Sequence, residues 1–150
     1  MKRMIAFFIV ISLIVGIKFM SQESIPQFNY EKLVIVSKLN SLFEIESVKN
    51  GSDYYYTFDK ILGEKVLKNI NKEEIESIVF YFDRDYSLKK IQNKMDYIYK
   101  GGSVSELEIY YGYDKDYSDY RIIDGKKVNV QIVKNSTNII VGYPLILTGY

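Results

Sequence analysis

Three carboxylates crowd one short stretch, Asp114-Lys115-Asp116-Tyr117-Ser118-Asp119. Alternate carboxylates are what a calcium loop uses to converge oxygens on one ion. Counted from Asp114, an EF-hand loop requires Gly at its sixth place and Glu at its twelfth; this chain has Asp119 and Gly125 there. The stretch therefore reads as a solvated loop, and no metal site is assigned. Asp83 and Asp85 flank Arg84 just before a predicted helix. Paired carboxyls do acid–base work when they face each other across a cleft, but before a helix they more simply cap it and favour its positive end. No catalytic residue and no cofactor site is assigned. The third candidate set is aromatic: Tyr54, Tyr56, Tyr110, Tyr111, Tyr113 and Tyr117 form a candidate ligand or partner surface. Exposed tyrosines stack on sugars and anchor protein partners at low entropic cost. The same rings also serve sheets as cross-strand pairs, the plainer use.

Composition removes whole classes of chemistry. The 150 residues carry a net charge of +1 and contain no His, Cys or Trp. Without Cys there are no disulfides, thiolate metal sites, thiol nucleophiles or lipid-modified Cys. Without His there is neither the commonest general base nor the commonest transition-metal ligand, which excludes Ser-His-Asp hydrolase, zincin and Cys-His protease chemistry within this chain. Near-balanced charge supplies no field to recruit nucleic acid, so no nucleic-acid partner is expected.

The elements that must position the tyrosines follow an export-type start. Lys2 and Arg3 precede an uncharged run, residues 4–17, rich in Ile, Val, Phe and Leu. A basic region before an apolar one is an export signal. As a helix the run spans about 21 Å, and with Lys18 snorkelling it extends through Met20. No small-x-small cleavage pattern is evident around residues 16–24. Residues 1–20 are thus expected to be a signal-anchor rather than a cleaved signal peptide, with the membrane as partner through 4–20. The domain follows outside, membrane-tethered or, if cut, secreted. Residues 21–27, polar with Pro26, read as a tether, and 28–150 as one extracytoplasmic domain.

Within that domain, apolar spacing predicts a helix over 28–43, then a hairpin of strands at 44–49 and 54–59 around Asn50-Gly51. Residues 61–71 fit either helix or strand, and the spacing of turns favours strand. Residues 76–82 alternate as a strand. Apolar positions from Leu88 to Tyr99 predict a helix over 87–100, with Asp85 as cap and Gly101 as stop. Residues 105–113 return to strand. Asp124-Gly125 then joins 120–123 to 127–133 as a tight hairpin, since both turn residues suit φ > 0. The turn cluster Asn135-Ser136-Thr137-Asn138 introduces a last strand at 139–141, and Pro144 directs the remainder to an edge or off the sheet. The fold class is α+β: an antiparallel sheet, meander plus C-terminal hairpin, with two main helices packed on one face and an apolar N-terminal helix before it.

The C-terminal stretch, Gly125-Lys-Lys-Val-Asn-Val-Gln-Ile-Val and Thr137-Asn-Ile-Ile-Val-Gly-Tyr-Pro-Leu-Ile-Leu-Thr-Gly-Tyr150, resembles the end of the YwmB-like family. These are exported proteins of spore-forming Gram-positive bacteria. The resemblance covers about a fifth of the chain and implies a TATA-box-binding-protein-like fold and a cell-envelope setting; it carries no catalytic residue. The functional expectation is a non-enzymatic envelope protein binding a protein or cell-wall ligand. Against it stands a carboxylate-dependent enzyme acting on wall glycans, which would need convergent acids across a cleft.

Overall fold

The computed structural model describes residues 27–147, so the expected N-terminal helix and most of the tether lie outside the described residues. The chain forms a predominantly antiparallel α+β fold. Among the described residues ten strands occur in order: β1 (Lys32–Ser37), β2 (Val48–Asn50), β3 (Asp53–Asp59), β4 (Ser77–Asp83), β5 (Tyr97–Val104), β6 (Leu107–Tyr113), β7 (Arg121–Ile123), β8 (Lys126–Val128), β9 (Val130–Lys134) and β10 (Asn138–Tyr143). Two short helices, α1 (Lys60–Asn69) and α2 (Leu88–Gln92), and a 3₁₀ turn at Lys72–Glu74 complete it. Among the described residues eight strands make one sheet in the order β2-β3-β1-β4-β10-β9-β6-β5, and β7 pairs with β8. Both β3 and β4 run antiparallel to β1, which lies between them, so α1 joins two parallel strands across a third.

Three expectations are overturned. The helix expected over 28–43 is instead β1 followed by an irregular stretch. Leu33, Val34, Ile35 and Val36 are all buried because a central strand covered on both faces is apolar at every position, and such a run satisfies a helical spacing by accident. The strand expected over 61–71 is α1: Asp59 Oδ1 accepts the Leu62 N–H at 2.9 Å, and the Leu62, Val66, Ile70 spacing is the true signal. The helix expected over 87–100 lasts only through Gln92. From Tyr97 the chain is β5, paired along β6 from Tyr97↔Tyr113 to Val104↔Leu107, so β-favouring tyrosines and long-range pairing win over local periodicity. Asp85 does not cap that helix, since Ser87 holds the cap position, and Gly101 lies in a β-bulge between Lys100 and Gly102 rather than ending a helix. The expected strand at 44–49 shrinks to β2.

The sheet has two unlike faces. The first carries the aromatic core, with Phe28 edge-on to Phe80 and Phe82 at 5.2 and 5.6 Å. Gly63 of α1 sits close against Tyr30 and Leu33, Ile91 of α2 belongs to the same cluster, and Phe43 of the irregular stretch packs on Tyr56 and Phe58. The Tyr56 hydroxyl donates to the Leu39 carbonyl at 2.6 Å and accepts the Leu42 N–H at 3.2 Å, fixing that stretch in place.

The second face is aliphatic: Val34, Val36, Val79, Val133 and Ile140. After the cis Tyr143-Pro144 bond the chain doubles back over it as a strap, residues 144–147, as Pro144 led one to expect. Side chains from three strands grip the strap's backbone. Ser77 Oγ donates to the Leu145 carbonyl, Gln131 Oε1 accepts the Ile146 N–H at 3.0 Å, and the Tyr55 hydroxyl donates to the Leu147 carbonyl at 3.1 Å. Gly142 makes the crossing possible, because a Cβ there would stand 2.6 Å from Ile146 N.

Candidate tyrosine surface at the β5 edge

The acidic candidates resolve into local structure. Asp83 Oδ1 accepts the Asp85 N–H at 2.8 Å, and Asp114 Oδ1 accepts the Asp116 N–H at 2.9 Å; each is a carboxylate closing its own turn. Asp114 is nevertheless buried, and its Oδ2 lies 3.5 Å from the Tyr143 hydroxyl. Burial pushes the Asp114 carboxyl above its ordinary range and Tyr143 far above that of a free phenol. Asn129 holds this corner together, a role the sequence did not announce. Its Oδ1 accepts the Asp114 N–H at 2.7 Å, and its Nδ2 donates to the carbonyls of Asp114 and Tyr117 at 2.7 and 2.6 Å. Among the described residues, no three acidic, His or Cys side chains gather in a way that could hold a metal ion.

The six candidate tyrosines do not form one surface. Tyr56 and Tyr117 are buried in the aromatic core, Tyr117 against Tyr143 at 5.3 Å, so neither lines a face. Tyr54 and Tyr110 project on the first face from β3 and β6, strands separated by β1, β4, β10 and β9. Five strand spacings put them roughly 24 Å apart. Tyr110 donates its hydroxyl to Glu108 Oε2 at 2.6 Å, which holds the Glu108 carboxyl below its usual range. Only Tyr111 and Tyr113 stand together, because alternation along β6 puts both on the second face.

What joins them is β5, whose tyrosines were hidden inside a stretch read as helix. Register brings Tyr97 opposite Tyr113 and Tyr99 opposite Tyr111, with ring centroids 5.6 and 5.8 Å apart, the first pair stacked. The result is a ladder of four partly exposed rings at the sheet's edge. Gly101 is required beside it: a Cβ there would lie 2.3 Å from the Tyr111 ring.

The β7–β8 hairpin is fastened to this ladder. Its Asp124-Gly125 turn has φ of 51° and 73°, the two positive values a tight hairpin loop demands. The Tyr97 hydroxyl donates to the Lys127 carbonyl and the Tyr99 hydroxyl donates to the Ile123 carbonyl at 3.2 Å. Burial raises both phenols, which therefore stay protonated and able to donate. Lys126 places its ammonium 4.4 Å from the Tyr99 ring centre, and Lys127 places its own 4.5 Å from Tyr120. Ile122 on β7 and Val104 at the far end of β5 are exposed. Aromatic faces and lysine ammoniums are the groups that hold a sugar or polyol chain bearing anionic substituents.

Comparison with known proteins finds no match for this chain among protein-family models, curated proteins or solved structures. Among the described residues no helix is long and apolar enough to cross a membrane.

Proposed function

We propose that this chain is a non-enzymatic exported envelope protein of the YwmB-like, TATA-box-binding-protein-like type, tethered through residues 4–20, whose domain binds a cell-wall polymer along the β5–β6 tyrosine ladder. The observation that carries the ligand reading is the pairing of Tyr97 with Tyr113 and of Tyr99 with Tyr111 beside Lys126 and Lys127. Stacking rings give a repeating sugar a platform, and the lysines favour chains that carry phosphate or carboxylate. The basic start and the apolar run at 4–17 support the envelope location.

A second reading draws on the same edge. β5 is an eight-residue strand with one side unpaired among the described residues, onto which a partner's extended segment can add as a ninth strand. The bulge at Lys100–Gly102 breaks that edge, which is how sheets discourage such pairing, and so favours the polymer.

Two measurements test the proposal. Protease treatment of intact cells carrying a C-terminal tag should shave the tag, and protection until lysis would remove the envelope location. Co-sedimentation of the domain, residues 21–150, with isolated Gram-positive cell walls should fall at least tenfold in Tyr97→Ala/Tyr99→Ala and weaken with added salt. Unchanged sedimentation of that variant, with its fold verified by circular dichroism, would remove the ladder as the binding surface.

A further inference from the structure

The strap and the β7–β8 hairpin lie on the second face as two separate pieces, and a cavity opens between them at one end of the sheet. The strap begins at Pro144, and the chain enters β7 through Asp119, Tyr120 and Arg121. Together with Ile75 and Glu76, which lead into β4, these residues line a cavity of about 150 Å³. Its walls are held by the surrounding fold. The Glu76 N–H donates to the Val36 carbonyl at 2.8 Å, the Ile75 N–H donates to the Lys72 carbonyl at 3.1 Å, and Ser77 and Gln131 fix the strap just beyond Pro144. On the hairpin side Arg121 pairs with Val128, and the Lys127 ammonium lies over the Tyr120 ring.

The cavity holds charges of both signs that do not satisfy one another. Among the described residues, the side chains of Glu76, Asp119 and Arg121 make no hydrogen bond and no ion pair within 4.0 Å. Glu76 feels the Lys38 ammonium, but that group is already taken by Asp53 and Ser52. A bare anion at Arg121 would meet two carboxylates, and a bare cation between the acids would meet a guanidinium. A molecule carrying both charges satisfies all three groups. The guanidinium fork takes a carboxylate through two parallel bonds, and an ammonium has three N–H donors, enough for both acids. Ile75 and Pro144 supply an apolar wall for the carbon between the two charges. We propose that this cavity binds a small α-amino acid as its zwitterion, the carboxylate on Arg121 and the ammonium between Glu76 and Asp119. A cavity of about this volume holds benzene, with about six non-hydrogen atoms, which is the size of alanine. The site goes beyond the proposed function and does not rest on it, since it uses none of the four ladder tyrosines.

Amide chemical shifts of the full chain, isotope-labelled and held in nonionic detergent micelles at neutral pH, test this directly. Titrated alanine should move the Glu76, Arg121 and Leu145 amides along one saturable curve in the millimolar range. N-acetylalanine, which lacks the ammonium, and alaninamide, which lacks the carboxylate, should each bind at least tenfold more weakly. Arg121→Gln should weaken alanine at least tenfold and Glu76→Gln several-fold; both positions are exposed, so the remaining spectrum should stay as in the parent. A lack of any saturable shift with alanine would overturn the inference. So would N-acetylalanine binding as well as alanine, which reduces the site to an anion collected by Arg121, or alaninamide doing so, which reduces it to an amine collected by the acids. Undiminished alanine binding by Arg121→Gln would overturn it as well.

Discussion

The two faces of this sheet solve the same covering problem with different materials. On the aromatic face, rings supply the volume and the cover is α1, α2 and the irregular 38–47 stretch, with Gly63 of α1 against Leu33 and Phe43 against Tyr56 and Phe58. On the aliphatic face, valines and isoleucines leave a flatter surface, and the cover described there is backbone held by side-chain hydrogen bonds from Ser77, Gln131 and Tyr55. Large interlocking rings tolerate loss poorly, while a strap gripped at a few points can be released without dismantling the sheet.

That contrast predicts an order of effects. Phe80→Ala on the aromatic face should cost about 3–5 kcal/mol in urea unfolding, whereas Ile140→Val on the other should cost about 0.5–1.5 kcal/mol. A reversal of that order would break the comparison. Gly142→Ala drives a methyl into the strap and should cost about 1–3 kcal/mol. Its fingerprint should be fast hydrogen exchange at the Ile146 amide while the amides of β4 stay protected. Asn129→Ala, which strips the buried Asp114 N–H of its partner, should cost about 1–3 kcal/mol and open the 114–117 loop to proteolysis at Lys115. Tyr97→Ala removes one cross-strand ring pair at the edge and should cost about 0.2–1 kcal/mol in urea unfolding.

The pH response sharpens the comparison further. Asp114 holds its proton more tightly in the folded chain than the ordinary Asp value of 3.8, because burial and then neighbouring Asp116 and Asp96 disfavour the charge. Its contribution to stability therefore falls as pH rises from 3.8 through its raised folded value. Glu108 runs the other way. The Tyr110 hydroxyl favours its carboxylate, so the stability it contributes is present above its unfolded pKa and is lost as pH falls through the lowered folded one. Asp114→Asn should thus make the protein lose more stability on acidification than the parent does, measured by urea midpoints between pH 3 and pH 7.

Legibility in the sequence followed the range of the deciding interaction. Two of the three tight hairpins were readable, Asn50-Gly51 and Asp124-Gly125, because a positive φ is a property of one or two residues; the third, closing from Val104 to Leu107 around Ser105 at φ 56°, was missed because no Gly or Asn marks it. The strands of β4 and β6 were readable from alternation alone. The candidate site was half readable: Tyr111 and Tyr113 are on the ladder, while Tyr54 and Tyr110 are a sheet's width apart and Tyr56 and Tyr117 are core. Tyr97 and Tyr99 were missed because Leu88, Ile91, Met95 and Ile98/Tyr99 recur at helical steps, and that local pattern holds until β6 is there to pair with the stretch.

By itself the sequence determined an antiparallel α+β class, the Asn50-Gly51 and Asp124-Gly125 turns, and a chain without His or Cys side chains. Only the tertiary structure decided that β1 lies between β3 and β4, that the chain's end straps one face, and that four tyrosines from two strands form one ladder. Local backbone preferences act over a few residues and are written in residue type. Strand order and face depend on partners far along the chain, such as Tyr55 and Leu147, 92 residues apart, and no window of sequence contains both.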